Sequence, residues 1–415
     1  MGKTKKTLHA DGLQPKSPDP AHRFCRYRMS PLGDPDRARR MVSPGRNRKT
    51  AEAGNVRQNP WKKGRPCDKI INREYDIPKT GRGVLATGKR GLVVFILVML
   101  LGGLYFSLNS ADVEIAHVAK QAESGHAALT LLVYTDIHHD PKDKVDLYKE
   151  TMDCAGKLME KTRIDALWNL GDLINGRTTT KAEAIAQLRD VIEEENRITL
   201  HAHRVAGNHD NNLQSTEPSG AGYGMEEVLS CEELNAVLEN TSSSQTEHHS
   251  PARPTDYYVD FDGIRVVCIT AEGTAFQEET ARWLREEALS TTSQVLMLSH
   301  LPTRPEWGYH GDVEHGEWIE EALNAFIAEG GTVICYIHGH DHGDKISDTG
   351  AWKEVAIGCA RFQTPKSGGT EGMVYQRRQT WNKTKYLFDV VQIDPEKREV
   401  RFIRFGAGRD RVIHY

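Results

Sequence analysis

A chain of 415 residues with a formal net charge of −4 has room for two or three domains, or for one large α/β domain with extensions. The charge is unevenly placed, with 23 Lys and Arg against 8 Asp and Glu in residues 1–90, which leaves 31 against 50 for residues 91–415. So acidic a body argues against nucleic acid as an obligatory substrate, because a duplex-binding surface is basic; seven cysteines without a CxxC pair give no support to a zinc ribbon or a disulfide framework.

In chain order, residues 1–90 are rich in Pro, Gly, Arg and Lys and show no sustained period, so they predict a disordered basic tail. Such a tail is either solvated or drawn to anionic lipid or nucleic acid. A start codon nearer Lys89 is a third reading. Residues 91–108 are uncharged and mostly apolar behind Lys89 and Arg90. That is close to the ~20 residues of a transmembrane helix, with the basic flank inside the cell. A signal segment, cleaved to leave a secreted protein, has similar flanks. Residues 109–126 then read as a linker to a domain at 127–415.

From there the pattern alternates. "ALTLLVYTD" (Ala128–Asp136) reads as a buried strand, and Lys142–Thr162 as a helix with Val145, Leu147, Met152, Leu158 and Met159 on one side. Strands at 164–172 and 199–210 flank a helix at 180–196, an order that predicts an α/β architecture with parallel strands. Residues 211–254 are loop-rich around a short helical piece at 225–239. "DYYVDFDGIRVVCIT" predicts a hairpin turning at Asp262–Gly263. Strands follow at 294–300, 331–339 and 352–359, and a second hairpin at 386–408.

The apolar strands end in polar residues of one kind: Asp136 and His138, then Gly171–Asp172, Gly207–Asn208–His209–Asp210, Ser299–His300, and Gly339–His340–Asp341–His342. In α/β sheets ligands bind beyond the carboxyl ends of the strands, so these groups are expected to converge. The ordered motifs D-x-H, G-D, G-N-H-D, H and G-H-x-H resemble those of the calcineurin-like metallophosphoesterase family, over roughly residues 127–345. The resemblance implies a β-sandwich of two mixed sheets flanked by helices. It implies one metal held by Asp136, His138, Asp172 and His342 and a second by Asp172, Asn208, His300 and His340, with Asp172 bridging. His209 matches the family's histidine that contacts the phosphate and helps the leaving oxygen depart, and Asn208 also lies at the substrate.

The residue types suit that chemistry. Two metals about 3.5–4 Å apart clamp the attacking and leaving oxygens of a phosphoester and lower the pKa of bound water toward ~7, giving a hydroxide nucleophile. Imidazole, carboxylate and amide donors favour Mn, Fe or Zn over Mg or Ca. One position departs from the family pattern: Asn175 stands where many members have an Asp that orients the catalytic histidine, so the acid role of His209 rests on a neutral partner. Asp341 is expected beside the ligands or facing solvent. Arg304, Trp307 and His310 are expected on a substrate wall, and Arg177 beside the phosphate or on an exposed loop. His139, His201, His203, His315, His338 and the His248–His249 pair read as hydrogen-bonded or solvated histidines outside the ligand set.

The expected activity is hydrolysis of phosphomonoesters or phosphodiesters, of small molecules or the cell envelope, by a single-pass protein whose catalytic domain lies outside the cytoplasmic membrane. The alternative is a catalytically silent metal-binding module with the same fold.

Overall fold

The computed structural model describes residues 84–143, 145–215, 224–238, 246–307, 313–363 and 371–415. The basic tail falls, up to residue 83, outside the described residues. Helix α1 (Val84–Leu108) contains the expected span, with Leu92, Phe95, Leu100 and Leu101 exposed. Among the described residues, however, no helix is long and apolar enough to cross a membrane.

Residues 109–126 are not a plain linker. They hold α2 (Ala111–Glu123), capped by the Ser110 hydroxyl, which accepts from the Val113 N–H. Ile115, Val118, Ala119 and Ala122 repeat at helical spacing on one face and are buried.

Next come β1 (Leu129–Tyr134), α3 (Tyr148–Met159), β2 (Ala166–Asn169), α4 (Lys181–Ile198) and β3 (Ala202–Arg204). Helix α3 starts later than its apolar pattern suggests. Asp140, Asp143 and Asp146 accept from the N–H groups of Lys142, Val145 and Tyr148, and these local bonds hold a run of turns instead. After α5 (Cys231–Leu238) and β4 (His248–His249) the expected hairpin is β5 (Tyr257–Phe261) and β6 (Ile264–Ile269). Then follow α6 (Glu278–Trp283), β7 (Gln294–Ser299), α7 (Gly316–Ala328), β8 (Val333–His338), β9 (Lys345–Asp348), β10 (Lys353–Ala356), β11 (Leu387–Asp394), β12 (Glu399–Gly406) and β13 (Arg411–His414).

Two mixed sheets result, in the orders β13-β12-β11-β1-β2-β3 and β4-β5-β6-β7-β8-β10-β9. Strands β1, β2 and β3 run parallel, and so do β6, β7, β8 and β10. Between the sheets lies an apolar layer in which Leu131 and Val133 meet Val266, Leu298, Ile337 and Phe402. Leu132 and Tyr134 point the other way, into a layer shared with α2, α3 and α4, while Val267 and Met297 pack against α6 and α7. Strands buried on both faces explain why β1, β6 and β8 read as continuous apolar runs.

Candidate metal centre

Every group singled out at a strand end lies just beyond the carboxyl end of a parallel strand. Asp136 and His138 follow β1, Asp172 follows β2, Asn208 and His209 follow β3, His300 follows β7, and His340 and His342 follow β8. Asp136, His138, Asp172, His340 and His342 all have left-handed backbones, with φ between 46° and 67°. Such conformations cost ~1–3 kcal/mol each in residues other than glycine and persist where the surroundings impose them. Close approach of the turns is part of that imposition: a Cβ on Gly207 would lie 2.2 Å from the Asp172 nitrogen.

The side chains form two groups that share Asp172. In the first, Asp136, His138, Asp172 and His342 bring their donor atoms within 4.8 Å of one another, and in the second Asp172, His300 and His340 do the same. His138 Nε2 is 3.5 Å from Asp172 Oδ2 and 3.0 Å from His342 Nε2, which is itself 3.3 Å from Asp136 Oδ1. His300 Nε2 lies 3.2 Å from Asp172 Oδ2 and 3.1 Å from Asn208 Oδ1, and His340 Nδ1 is 3.0 Å from the same amide oxygen.

The arrangement fits cations. His300 Nδ1 donates to the Leu170 carbonyl at 2.8 Å, so in a neutral ring the Nε2 lone pair faces the oxygens of Asp172 and Asn208. Three lone pairs aimed at one point repel unless a positive charge sits among them. Without a metal that charge is a proton: burial opposes it, but Asp172 and Asp136 outweigh burial and raise the His300 imidazolium to about 9. Asp136 Oδ1 is buried with no hydrogen-bond partner. Burial would raise both carboxyls, yet His342 and His300 hold Asp136, and His300, His209 and His138 hold Asp172, well below the ordinary range.

Asn175 does not hold His209 through its amide. His209 Nδ1 donates to the Asn175 main-chain carbonyl at 2.7 Å, leaving Nε2 turned inward, 3.9 Å from Asp172 Oδ2. The amide is engaged elsewhere, donating to Asp140 Oδ2 and accepting from Arg361 Nη1, each at 3.1 Å. Asp341 is buried rather than solvent-facing, with Oδ2 3.9 Å from His338 Nδ1. Arg304 turns to Glu320 on α7, its Nη2 2.8 Å from Oε2, and is not on the cleft wall; His310 lies outside the described residues. His139 and His203 bind Asp146 and Glu247 at 2.6 Å, and His315 stacks on Trp318.

Three residues were not given roles by the motifs. Asp210, the last residue of G-N-H-D, accepts from the N–H groups of Asp172, Leu173, Ile174 and Gly207, and so ties the second motif to the third. Gln363 Oε1 lies 3.0 Å from His342 Nδ1, and Arg361 lines the cleft. Both follow β10, where no motif marks them. The cleft over the centre has a volume of about 710 Å³, and Lys142, Asn175, Arg177, Gln214, Arg361 and Gln363 complete its wall.

The profile of the family described as calcineurin-like phosphoesterase matches residues 129–344. A curated relative, the manganese-dependent ADP-ribose/CDP-alcohol diphosphatase of Danio rerio, is 22% identical over 241 residues, 48% of this chain and 73% of the relative. Among solved structures, a dimetal phosphatase from Danio rerio is similar with a TM-score of 0.44 and 16% identity, over 70% of this chain and 99% of that one. A phosphopantetheinyl hydrolase from Mycobacterium tuberculosis gives 0.36 and 13%, over 57% and 91%. With a buried Asp/His centre built for two metals and a family match that spans half of its length, the chain belongs to the calcineurin-like phosphoesterases and is a metal-dependent phosphoric ester hydrolase.

Proposed function

We propose that the chain hydrolyses small phosphomonoesters or phosphodiesters at two Mn, Fe or Zn ions, one held by Asp136, His138, Asp172 and His342 and the other by Asp172, Asn208, His300 and His340. The observation that carries this reading is the sharing of Asp172 by two buried donor groups at the floor of one cleft. The ions supply positive charge to the phosphoryl oxygens and acidify water. Asp172 accepts the His209 N–H at 2.9 Å, which fixes the turn carrying Asn208 and His209. The Asn175 carbonyl fixes the His209 ring with Nε2 turned inward, so that a ring protonated on both nitrogens would present its Nε2–H to the departing oxygen. The diphosphatase activity named for the Danio rerio relative makes esters of ADP-ribose and CDP-alcohol type reasonable first substrates.

The test is hydrolysis of p-nitrophenyl phosphate and bis-p-nitrophenyl phosphate by the purified chain with Mn, Zn, Fe, Mg or no metal, beside Asp172→Asn. Metal-dependent turnover lost in the variant is expected, and the preferred ester separates monoesterase from diesterase. A folded protein that binds metal and turns over neither these esters nor ADP-ribose contradicts the enzyme reading and leaves a silent binding module.

We also propose that the catalytic domain lies outside the cytoplasmic membrane, on the support of the sequence alone: the apolar run 91–108 behind Lys89 and Arg90. Protease added to intact cells is expected to degrade the domain, and protection until the cells are lysed contradicts this placement.

A further inference from the structure

We infer that Arg361, assisted by Arg177, forms a second anion subsite beside the metal centre, which selects substrates with a charged group beyond the scissile phosphate, namely organic pyrophosphate diesters. This rests on the phosphoesterase reading above and names the substrate class for that site.

The segment bearing Arg361 is fastened on two sides. Its main chain pairs with the first motif, the Ala360 N–H donating to the Thr135 carbonyl at 2.9 Å and the Arg361 N–H to the Asp136 carbonyl at 3.1 Å. From the other side the half-buried Arg378 guanidinium donates to the carbonyls of Cys359 at 2.9 Å, Ala360 at 3.0 Å and Arg361 at 2.5 Å. Here the result is that Arg361 leaves the backbone at a fixed place, one residue bond away from the metal ligand Asp136.

Its side chain is then aimed by two partners on the cleft wall. Nη1 donates to Asn175 Oδ1 at 3.1 Å, and Nη2 to Asp143 Oδ2 at 2.7 Å. These two bonds use two of the five N–H donors of the guanidinium, and the side chain remains about one-third exposed and lines the cleft. The same Asn175 holds His209 through its carbonyl, so Arg361 and the leaving-group histidine are attached to one residue. A cation in this position meets whatever is attached to the departing oxygen. Arg177, two residues beyond Asn175, is exposed on the same wall and has no ion pair among the described residues.

Negative groups on this wall are already engaged. Glu183 Oε1 pairs with Lys142 at 3.1 Å, and Asp140 accepts from Asn175 and from the Lys142 N–H. Beyond the metal ligands the cations on this wall are therefore Lys142, paired with Glu183, Arg361, paired with Asp143, and Arg177, which has no ion pair among the described residues. In a simple ester Arg361 and Arg177 face an uncharged substituent on the departing oxygen, whereas in a pyrophosphate diester that oxygen belongs to a second phosphate that is already anionic in the bound substrate. Arginine suits such an oxyanion because its planar fork can donate two parallel bonds. The Asn at 175 fits the same scheme: a carboxylate there would set a second anion against Arg361, beside Asp143, and would face Asp140 at the 3.1 Å now spanned by a hydrogen bond.

The test compares kcat/KM for ADP-ribose, a pyrophosphate diester, with that for bis-p-nitrophenyl phosphate, a diester with no second anion, in the Mn-loaded full chain. The native protein is expected to favour ADP-ribose, and Arg361→Ala to lower the ratio about 10- to 100-fold, as expected for loss of a charge-assisted hydrogen bond. Arg361→Lys is expected to recover part of the ratio, and Arg177→Ala, an exposed position, to lower it less. Bound Mn is measured for each variant, and an unchanged metal content is expected. A ratio that stays within about threefold in Arg177→Ala and in whichever Arg361 variant folds overturns the subsite; so does equal loss on both substrates. Native protein that turns over neither substrate contradicts the phosphoesterase reading itself, whereas native turnover of the diester without ADP-ribose contradicts only the inference drawn here.

Discussion

His209 shows how a residue's main chain can replace a side chain that the sequence makes one look for. The family pattern directs attention to position 175, where an amide stands in place of a carboxylate, and the amide then turns out to serve Asp140 and Arg361 while the carbonyl of the same residue holds the imidazole. Nothing in the letters distinguishes these two uses of Asn175. With Nδ1 committed to the carbonyl, a proton on Nε2 matters in proportion to how badly the leaving oxygen needs it. His209→Ala is therefore expected to lower kcat about 10²–10⁴-fold on an alkyl ester and much less on a p-nitrophenyl ester, whose leaving group departs without a proton. Equal losses on both would show that His209 binds the phosphate and does not act as the acid.

At the scale of elements, the turns are built by packing between strands that are far apart in sequence. Thr303, after β7, is bound to Glu354 on β10: its N–H donates to Oε1 and its hydroxyl lies against Oε2, both at 2.8 Å. The same hydroxyl is 3.0 Å from Glu320 Oε1. One hydroxyl proton cannot serve two carboxylates, so a proton on Glu354 satisfies the trio, in accord with burial pushing its carboxyl up to about 8 from an ordinary 4.5. An acid with a raised folded pKa contributes stability that is complete below about 4.5 and is lost as pH rises toward about 8. Glu354→Gln is accordingly expected to flatten the fall in urea midpoint between pH 5 and pH 8, and an unchanged slope would contradict a protonated Glu354. None of this could be read from "WKEVAIG", whose alternation predicts the strand and is silent on what its one buried acid meets. The metal-ligand types and their strand-end positions were legible because catalysis restricts them to a few residue kinds. Arg361, Gln363 and Arg378 were not, because a loop after β10 has no period and its partners lie just after β1, after β8 and in the segment before β11.

For the whole molecule, the alternating apolar runs mark the strands, and apolar layers on both faces of each sheet explain why those runs are continuous. The segment 109–126 was harder to read, because a thirteen-residue helix with a polar outer face resembles a linker until its buried side finds a surface. That surface is the outer layer of the first sheet, where Ile115 and Val118 meet Phe405 and Ile403 of β12, and Glu114 Oε2 pairs with Lys383 Nζ at 2.6 Å. Ile115→Ala is expected to destabilise the domain by about 2–5 kcal/mol in urea unfolding without altering bound metal, since α2 carries none of the metal ligands. A loss below about 0.5 kcal/mol, the level of an ordinary surface change, would mean that the helix is not part of the core.

The measurement that bears most directly on the whole account is the metal content of the purified full chain, saturated with Mn and freed of loose ions, beside Asp172→Asn. Two ions per chain are predicted for the native protein, together with the exchange-coupled electron paramagnetic resonance signal of a shared carboxylate pair, and loss of that coupled signal in the variant. A single ion per chain, or two ions whose signals are uncoupled and indifferent to Asp172, would contradict a centre in which one carboxylate joins both groups.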